Sequence, residues 1–187
     1  MKTAVVVLAD GFEEIEAVTP IDLLRRAGVN VIVAGLAAPL VTGSHGVVFG
    51  CDTVLDQVTP GWDALILPGG GRGAKNLSES SLVKHFVEQT LAGDSWLGAI
   101  CAAPAVVLGS QGFLKGRDFT GYPGTEGQAV GAWYQVAPVV VDGRIVTSRG
   151  VGTASAFALK LVELLVGPEK AAETARATLL DWPADEG

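Results

Sequence analysis

Residues that bind metals or build disulfide frameworks are scarce in this chain. Its 187 residues include two cysteines, Cys51 and Cys101, and two histidines, His45 and His85. Two isolated cysteines cannot build the disulfide framework of a small secreted domain. The two histidines lack the spacing of metal ligands. The sequence therefore predicts no metal site.

Long apolar runs and clusters of positive charge are also missing. Hydrophobic residues make up 49% of the chain, but apolar runs such as residues 4–9 are far shorter than the ~20 residues of a membrane helix. The net charge of −7 comes without any block of Lys or Arg, which argues against nucleic acid or a membrane as a stable partner. Because a single Lys2 precedes the first apolar run and no small-residue cleavage site follows it, we expect a cytoplasmic protein without a signal peptide.

The sequence does contain a regular alternation of apolar, strand-like segments with helical patterns. This alternation predicts an α/β fold with a mainly parallel sheet covered by helices on both faces. The predicted strands cover residues 3–9, 29–35, 64–67, 96–100 and 144–147, and the predicted helices cover 13–27, 80–92, 102–108, 153–166 and 168–179. Hairpins are predicted at Asp142-Gly143 and around residues 43–46. The length suits one core, so we expect a single domain over 1–187 with a loosely held tail from about residue 181.

Cys101 stands where a predicted strand turns into a predicted helix of small residues. This is the arrangement of a nucleophile elbow, which presents a side chain at the ligand-binding edge of an α/β sheet. The amides and the positive end of the macrodipole at a helix start favour a thiolate, so we expect a thiol pKa well below the free value of ~8.5. The alternative is a buried cysteine that acts as a small hydrophobe.

Glu16 is a second candidate, in the predicted first helix. At ~100° per residue it falls in the middle of the apolar stripe, whereas Glu13 and Glu14 are ordinary first-turn acids that complement the macrodipole. Burial raises the pKa of a carboxyl, so Glu16 is predicted to donate or share a proton near neutral pH. The alternative is a side chain that reaches out to the edge of the sheet. Pro20 removes the amide that would bond the Glu16 carbonyl and is expected to kink the helix.

A glycine-rich turn at residues 67–73 follows another predicted strand. It has neither the ending of a Walker motif nor the spacing of a dinucleotide fingerprint. We expect an oxyanion site there, in which the amides of Gly70 and Ala102, with Gly69 beside them, face an oxygen on a carbon attacked by Cys101. A purely structural glycine turn is the alternative.

The ordered set of motifs resembles the ThiJ/PfpI superfamily, and within it the branch of the parkinsonism-associated deglycase and the bacterial protein YajL. The motifs are residues 9–16 (ADGFEEIE), 20–28 (PIDLLRRAG), 67–70 (LPGG), 73–80 (GAKNLSES), 99–104 (AICAAP) and 147–150 (TSRG). The resemblance covers nearly the whole chain. It implies a flavodoxin-like three-layer α/β/α sandwich, a homodimer, Cys101 as the reactive cysteine, and Glu16 as a protonated carboxyl bonded to its sulfur.

The resemblance also implies a function. This is a cofactor-independent glyoxalase or deglycase of the stress response, acting on methylglyoxal or glyoxal and on early glycation adducts. An oxidative-stress sensor with chaperone-like binding, controlled by oxidation of Cys101, is the alternative. A cysteine peptidase or amidase is disfavoured, because Tyr122 stands where many members carry a histidine.

Three other positions bear on the resemblance. Val151 replaces a proline that related members often show, which predicts a small change in pocket shape. Two residues are candidates for reaching the site of a partner subunit. They are His45, at the tip of the predicted hairpin, and Arg26, at the end of the first helix.

Overall fold

The computed structural model describes residues 1–182 and contains one seven-stranded sheet in the order β10-β11-β7-β6-β1-β2-β5. Its strands are β1 (Thr3–Leu8), β2 (Asn30–Gly35), β5 (Thr53–Val54), β6 (Ala64–Leu67), β7 (Trp96–Ile100), β10 (Val139–Asp142) and β11 (Ile145–Ser148). β10 runs antiparallel to β11, and all other neighbours are parallel. Two smaller pairs are β3 (Leu40–Thr42) with β4 (Val48–Gly50), and β8 (Asp118–Phe119) with β9 (Trp133–Tyr134).

Within residues 1–182, five α-helices and several short helical turns pack around this sheet. The α-helices are α1 (Glu14–Arg26), α2 (Gly71–Ser78), α3 (Ser81–Ala92), α4 (Ala154–Val166) and α5 (Pro168–Thr178). Leu55–Gln57, Glu126–Gln128 and Val151–Thr153 are 3-10 turns, and Pro104–Gly109 is π-helical. Within residues 1–182, no helix is both long and apolar enough to cross a membrane.

Buried apolar side chains lie on both faces of the sheet, because successive residues of β1 point to opposite faces. Val5 and Val7 pack into a cluster with α2, α3 and the π-helical turn. Val6 and Leu8 point the other way, into a cluster with α1 and α4. Because both faces are covered, the parallel strands read as nearly continuous apolar runs. The predicted α/β sandwich, flavodoxin-like in its layers, is confirmed.

Most predicted elements agree with the structure to within a residue or two at each end. The strands at 64–67 and 96–100 are identical to β6 and β7, both hairpins form, and α1 continues through Pro20. The predicted tail from about residue 181 lies mostly outside the described residues. Trp182, which is described, stacks under the ammonium of Lys160 at 5.4 Å.

Two predicted elements need correction. The segment predicted as a glycine-rich turn continues directly into the helix α2. Its glycines have low helix propensity, but the burial of Ala74 and Leu77 stabilises the helix. The helix predicted at 102–108 instead begins at Pro104 and closes wider turns, with the Ser110 amide bonded to the Ala105 carbonyl at 2.9 Å. The first turn after Cys101 still closes with an α-type bond from the Val106 amide to the Ala102 carbonyl (2.9 Å), and the wider turns follow it.

Candidate active site

Cys101 occupies a sharp turn at the carboxyl end of β7. Its φ of +65° is left-handed, a conformation that costs a non-glycine residue on the order of 1–3 kcal/mol. The backbone is held on both sides, because the Cys101 amide donates to Ser148 (3.0 Å) and the Cys101 carbonyl accepts from the amide of Tyr122 (2.7 Å). This strained strand-to-helix turn has the shape of the predicted nucleophile elbow.

Glu16 projects from α1 into the same region and is fully buried. Its Oε2 accepts a hydrogen bond from the Gly69 amide at 3.0 Å, while Oε1 has no partner among the described residues. Burial raises the pKa of Glu16 from its usual 4.5 to about 7, against the lowering effect of hydrogen bonds from Cys101 and Gly69. The helical stripe therefore identified a carboxyl that carries a proton near neutral pH.

The Cys101 thiol differs from the expectation of a lowered pKa. Burial first, and then the negative charge of Glu16 and its hydrogen bond, raise the pKa of Cys101 to about 12. Hydrogen bonds from the amides of Gly70 and Ala102 act in the opposite direction. A proton on Glu16 removes the charge that opposes the thiolate, so one of the causes of the raised pKa of Cys101 disappears, while the effect of burial remains.

Gly69 and Gly70 allow the close approach of these groups. A Cβ on Gly69 would lie 2.5 Å from the Cβ of Cys101 and 2.5 Å from Glu16 Oε2. Gly70 has a φ of +91°, and a Cβ there would lie 2.2 Å from the Gly11 carbonyl oxygen. The turn therefore has a steric need for both glycines, and it also aims the Gly70 amide at the sulfur of Cys101. The structural and oxyanion interpretations of this turn are compatible.

Cys101 and Glu16 open into a cavity of about 720 Å³. Its wall consists of Glu13, Glu16, Gly70, Gly71, Cys101, Ala102, Tyr122, Pro123, Thr125, Arg149, Gly150, Val151, Gly152 and Thr153. Tyr122 and Val151, the two departures from the family pattern, both lie in this wall. No histidine of residues 1–182 lines it, which fits the absence of a Cys-His arrangement in the sequence.

The β3–β4 hairpin meets α1 next to the cavity. His45 Nδ1 lies 3.0 Å from Glu14 Oε2 and 3.4 Å from Glu13 Oε2, and Glu14 also accepts from the amides of His45 (2.7 Å) and Val47 (3.4 Å). Glu14 is thus the anchor of the hairpin rather than only a first-turn acid. Arg26 pairs with Asp22 at 2.7 Å on the surface of α1, away from this contact.

Three potential metal ligands meet in this contact, although their sequence spacing suggested none. The ligand atoms of Glu13, Glu14 and His45 lie within 4.8 Å of one another. Hydrogen bonds to Ser44 and to the hairpin amides account for the arrangement, so we assign no metal to it. His85, by contrast, is exposed on α3.

Arg149 is the cavity residue that sequence reasoning missed. In the sequence it stands out only as one residue of the motif at 147–150. The signal was its place directly after β11, because side chains that follow adjacent parallel strands meet at one edge of the sheet.

Comparison with known proteins places these features in context. The model of the DJ-1/PfpI family matches residues 2–164. The Drosophila melanogaster protein dj-1beta is 43% identical over 97% of this chain and 98% of its own length. The Caenorhabditis elegans protein named glutathione-independent glyoxalase DJR-1.2 is 35% identical over 90% of this chain and 91% of its own.

Solved structures agree with the fold. The crystal structure of Drosophila melanogaster DJ-1beta superimposes with a TM-score of 0.93 at 43% identity, covering 97% of this chain and 99% of that one. An oxidized DJ-1 from Toxoplasma gondii superimposes with a TM-score of 0.94 at 36% identity, covering 97% of this chain and 100% of that one.

Proposed function

The chain belongs to the DJ-1/PfpI family, and from that membership and its cavity we propose that it is a cofactor-independent glyoxalase or deglycase. Its substrates would be methylglyoxal or glyoxal and early glycation adducts, in a stress response. A relative named as a glutathione-independent glyoxalase supports this chemistry.

The observation that carries the proposal is the pairing of Cys101 with Glu16. A nucleophilic sulfur, a carboxyl with its pKa near 7 and two amides directed at the sulfur face one cavity. A general acid or base is most effective when its pKa lies near the working pH. Glu16 meets that condition because it is buried.

In the proposed reaction, Cys101 adds as thiolate to the aldehyde carbon and forms a hemithioacetal. The Gly70 and Ala102 amides stabilise the oxygen that gains negative charge. Glu16, as carboxylate, takes the thiol proton as Cys101 attacks and gives it to the new oxygen. The carboxylate then takes the proton from the former aldehyde carbon and returns it to the neighbouring carbon, while the hydroxyl proton passes to the neighbouring oxygen. This internal transfer oxidises one carbon and reduces the other, so no outside oxidant is needed. Water then hydrolyses the thioester, releasing the hydroxy acid and the thiol.

The decisive experiment follows lactate formation from methylglyoxal by the purified protein beside Cys101→Ser. Lactate from the parent and none from the variant is the expected result. Equal lactate from both proteins, or none from either, would refute the proposal.

A second candidate function is oxidation sensing at Cys101, supported by the oxidized form of a structural relative. Here a Cys101 sulfinate would accept a hydrogen bond from protonated Glu16 and control chaperone-like binding. Substoichiometric peroxide separates the two functions: selective oxidation of Cys101 that creates binding to unfolded protein, in a chain without lactate formation, would favour the sensor.

A further inference from the structure

The described wall of the cavity contains one basic group, the guanidinium of Arg149, and the proposed reaction does not use it. The parallel register pairs Ser148 of β11 with Ile100 of β7, so Arg149 and Cys101 leave adjacent strands at the same level. Adjacent strands lie ~4.8 Å apart. The backbone that carries Arg149 is therefore a direct neighbour of the nucleophile.

The loop that carries Arg149 is held firmly. Thr153 Oγ1 accepts hydrogen bonds from the amides of Arg149 (3.2 Å) and Gly150 (3.1 Å), and it lies 2.7 Å from the hydroxyl of Ser148. A Cβ on Gly150 would lie 4.0 Å from Cys101 Sγ and 3.7 Å from Glu16 Oε1. The next residue along the loop thus already contacts the reacting groups.

The guanidinium itself lacks a partner. Arg149 Nε is buried without a hydrogen-bond acceptor in the part of the chain that the structure describes. Arg149 also forms none of the ion pairs found among residues 1–182. The described lining contains no other Lys or Arg. Buried N–H groups in proteins are nearly always bonded, so this one calls for an acceptor from outside the described chain.

We propose that Arg149 binds a carboxylate adjoining the carbon that Cys101 attacks. A guanidinium presents paired N–H donors in a plane, which match the two oxygens of a carboxylate. Resting on the proposed function, the same attack by Cys101 would then favour small carbonyl compounds that carry a carboxylate next to the attacked carbon over methylglyoxal and glyoxal, which carry none.

The test compares alkylation of Cys101 by iodoacetate and by iodoacetamide. In both reactions Sγ attacks the methylene carbon, the S–C bond forms and iodide leaves with the electrons of the C–I bond. The reagents have closely similar size and differ in charge. Any change in the thiolate fraction affects both rates equally, so the ratio of the two rates reports recognition of the anion.

We expect Arg149→Gln to lower the ratio of iodoacetate rate to iodoacetamide rate by about tenfold or more, because a bidentate charged contact is lost. Arg149→Lys keeps the charge without the planar donors and should give an intermediate ratio. The matched control is Arg144→Gln, which removes the same charge just before β11, at the opposite end of that strand from Arg149. An unchanged ratio in Arg149→Gln, or an equal fall in Arg144→Gln, would overturn the proposal.

A second measurement needs no variant. Lactate should protect Cys101 of the parent protein from iodoacetamide competitively, and the neutral analogue lactamide should not. Equal protection by the two compounds, or none by lactate, would contradict an anion site.

Neither measurement requires turnover, so the two proposals can fail separately. A protein that prefers iodoacetate but makes no lactate would retain the anion site and lose the proposed function. A protein that makes lactate without this preference would lose the anion site alone.

Discussion

At the scale of single residues, Glu16 and Cys101 act as one titrating pair. Burial opposes charge on both, and the charge of Glu16 opposes ionisation of Cys101. Two such groups release their protons in coupled steps that belong to the pair. In the proposed reaction the proton of Cys101 passes to Glu16 as the sulfur attacks, and the amides of Gly70 and Ala102, which lower the pKa of the thiol, favour that transfer.

The first prediction concerns proton transfer by Glu16. Glu16→Gln keeps an oxygen that can accept from the Gly69 amide, but it cannot transfer a proton, so turnover of methylglyoxal should fall by ~100-fold or more. The measurement is lactate formed per active site. The control is Asp22→Asn on the exposed face of the same helix, where an ion pair with Arg26 is lost at little cost. Full activity in Glu16→Gln would exclude Glu16 from the chemistry.

The second prediction is a pH dependence of stability. Since the pKa of Glu16 rises from 4.5 unfolded to about 7 folded, the folded state binds the proton more tightly between those values. Glu16 therefore contributes its full stabilisation below pH ~4.5, and this contribution is lost as the pH rises through ~7. The free energy involved is about 1.4 kcal/mol for each unit by which the folded and unfolded pKa values differ.

Urea unfolding of the parent and of Glu16→Gln, measured from pH 4.5 to 8, checks this expectation. The parent should lose stability relative to the variant as the pH rises. Parallel profiles for the two proteins would mean that the carboxyl has an ordinary pKa in the fold.

At the scale of elements, the turn between β6 and α2 positions the site through its lack of side chains. Gly69→Ala would place a Cβ 2.5 Å from both Cys101 Cβ and Glu16 Oε2. We expect it to lower the free energy of unfolding by roughly 1–3 kcal/mol or more, as overpacking does.

Gly71→Ala is the matched substitution in the same turn. Nothing lies within 4 Å of a Cβ there, and the position begins α2, so stability should be unchanged or rise by up to ~1 kcal/mol. Chemical denaturation of both variants checks the pair. Equal stabilities would contradict the steric role assigned to Gly69.

The contact between α1 and the β3–β4 hairpin gives a fourth prediction. The hydrogen bond to His45 and those from backbone amides lower the pKa of Glu14 to about 2, against burial. Glu14→Gln removes a charged acceptor, and hydrogen bonds to charged groups contribute roughly 1.5–3 kcal/mol. Amide exchange at His45 and Val47 should therefore accelerate by about tenfold or more.

Hydrogen exchange read by NMR measures this opening. Glu88→Gln, at an exposed acid on α3 that pairs with Lys84 at 3.9 Å, serves as the control. Because the pKa of Glu14 is lowered in the fold, its charge stabilises the hairpin contact fully above pH ~4.5. The same amides of the parent should therefore lose protection as the pH falls from ~4.5 towards ~2. Unchanged exchange in Glu14→Gln would show that the backbone alone holds the hairpin.

At the scale of the whole molecule, apolar side chains remain exposed where α1 and the hairpin adjoin. They are Ile15 (50% exposed), Val18 (43%), Val47 (52%) and Val48 (60%). Together with the family resemblance, this surface predicts a homodimer. Contiguous apolar patches of this kind mark interaction sites.

Light scattering at micromolar concentration should give twice the 19.2 kDa mass of one chain. Val18→Glu should shift the mass towards the monomer, because it buries a charge in the interface. Val136→Glu, at an exposed apolar residue outside this patch (76% exposed), should not. A monomer mass for the parent would refute the dimer.

The single domain over residues 1–187 stays a prediction.

The sequence by itself determined most strands of the large sheet and four of the α-helices, those predicted at 13–27, 80–92, 153–166 and 168–179. Apolar runs identified β6 and β7 to the residue, the Asp142-Gly143 turn identified the β10–β11 hairpin, and a period of ~100° placed Glu16 inside. These signals are local, since the period of the hydrophobic pattern follows from backbone geometry. Cys101 was found in the same way, from its place at a strand end.

The tertiary structure decided what depends on contacts between distant segments. Burial of Ala74 and Leu77 makes α2 a helix despite its glycines, and Glu14 became an anchor only when the hairpin folded against it. Burial in the closed core and the carboxyl of Glu16, which is distant in sequence, together raise the proton affinity of Cys101. Arg149 stands beside Cys101 because β11 and β7 pair in that register. Local periodicity carries no information on such pairings, because strand register and the dielectric surroundings of a charge arise only when the whole core has closed.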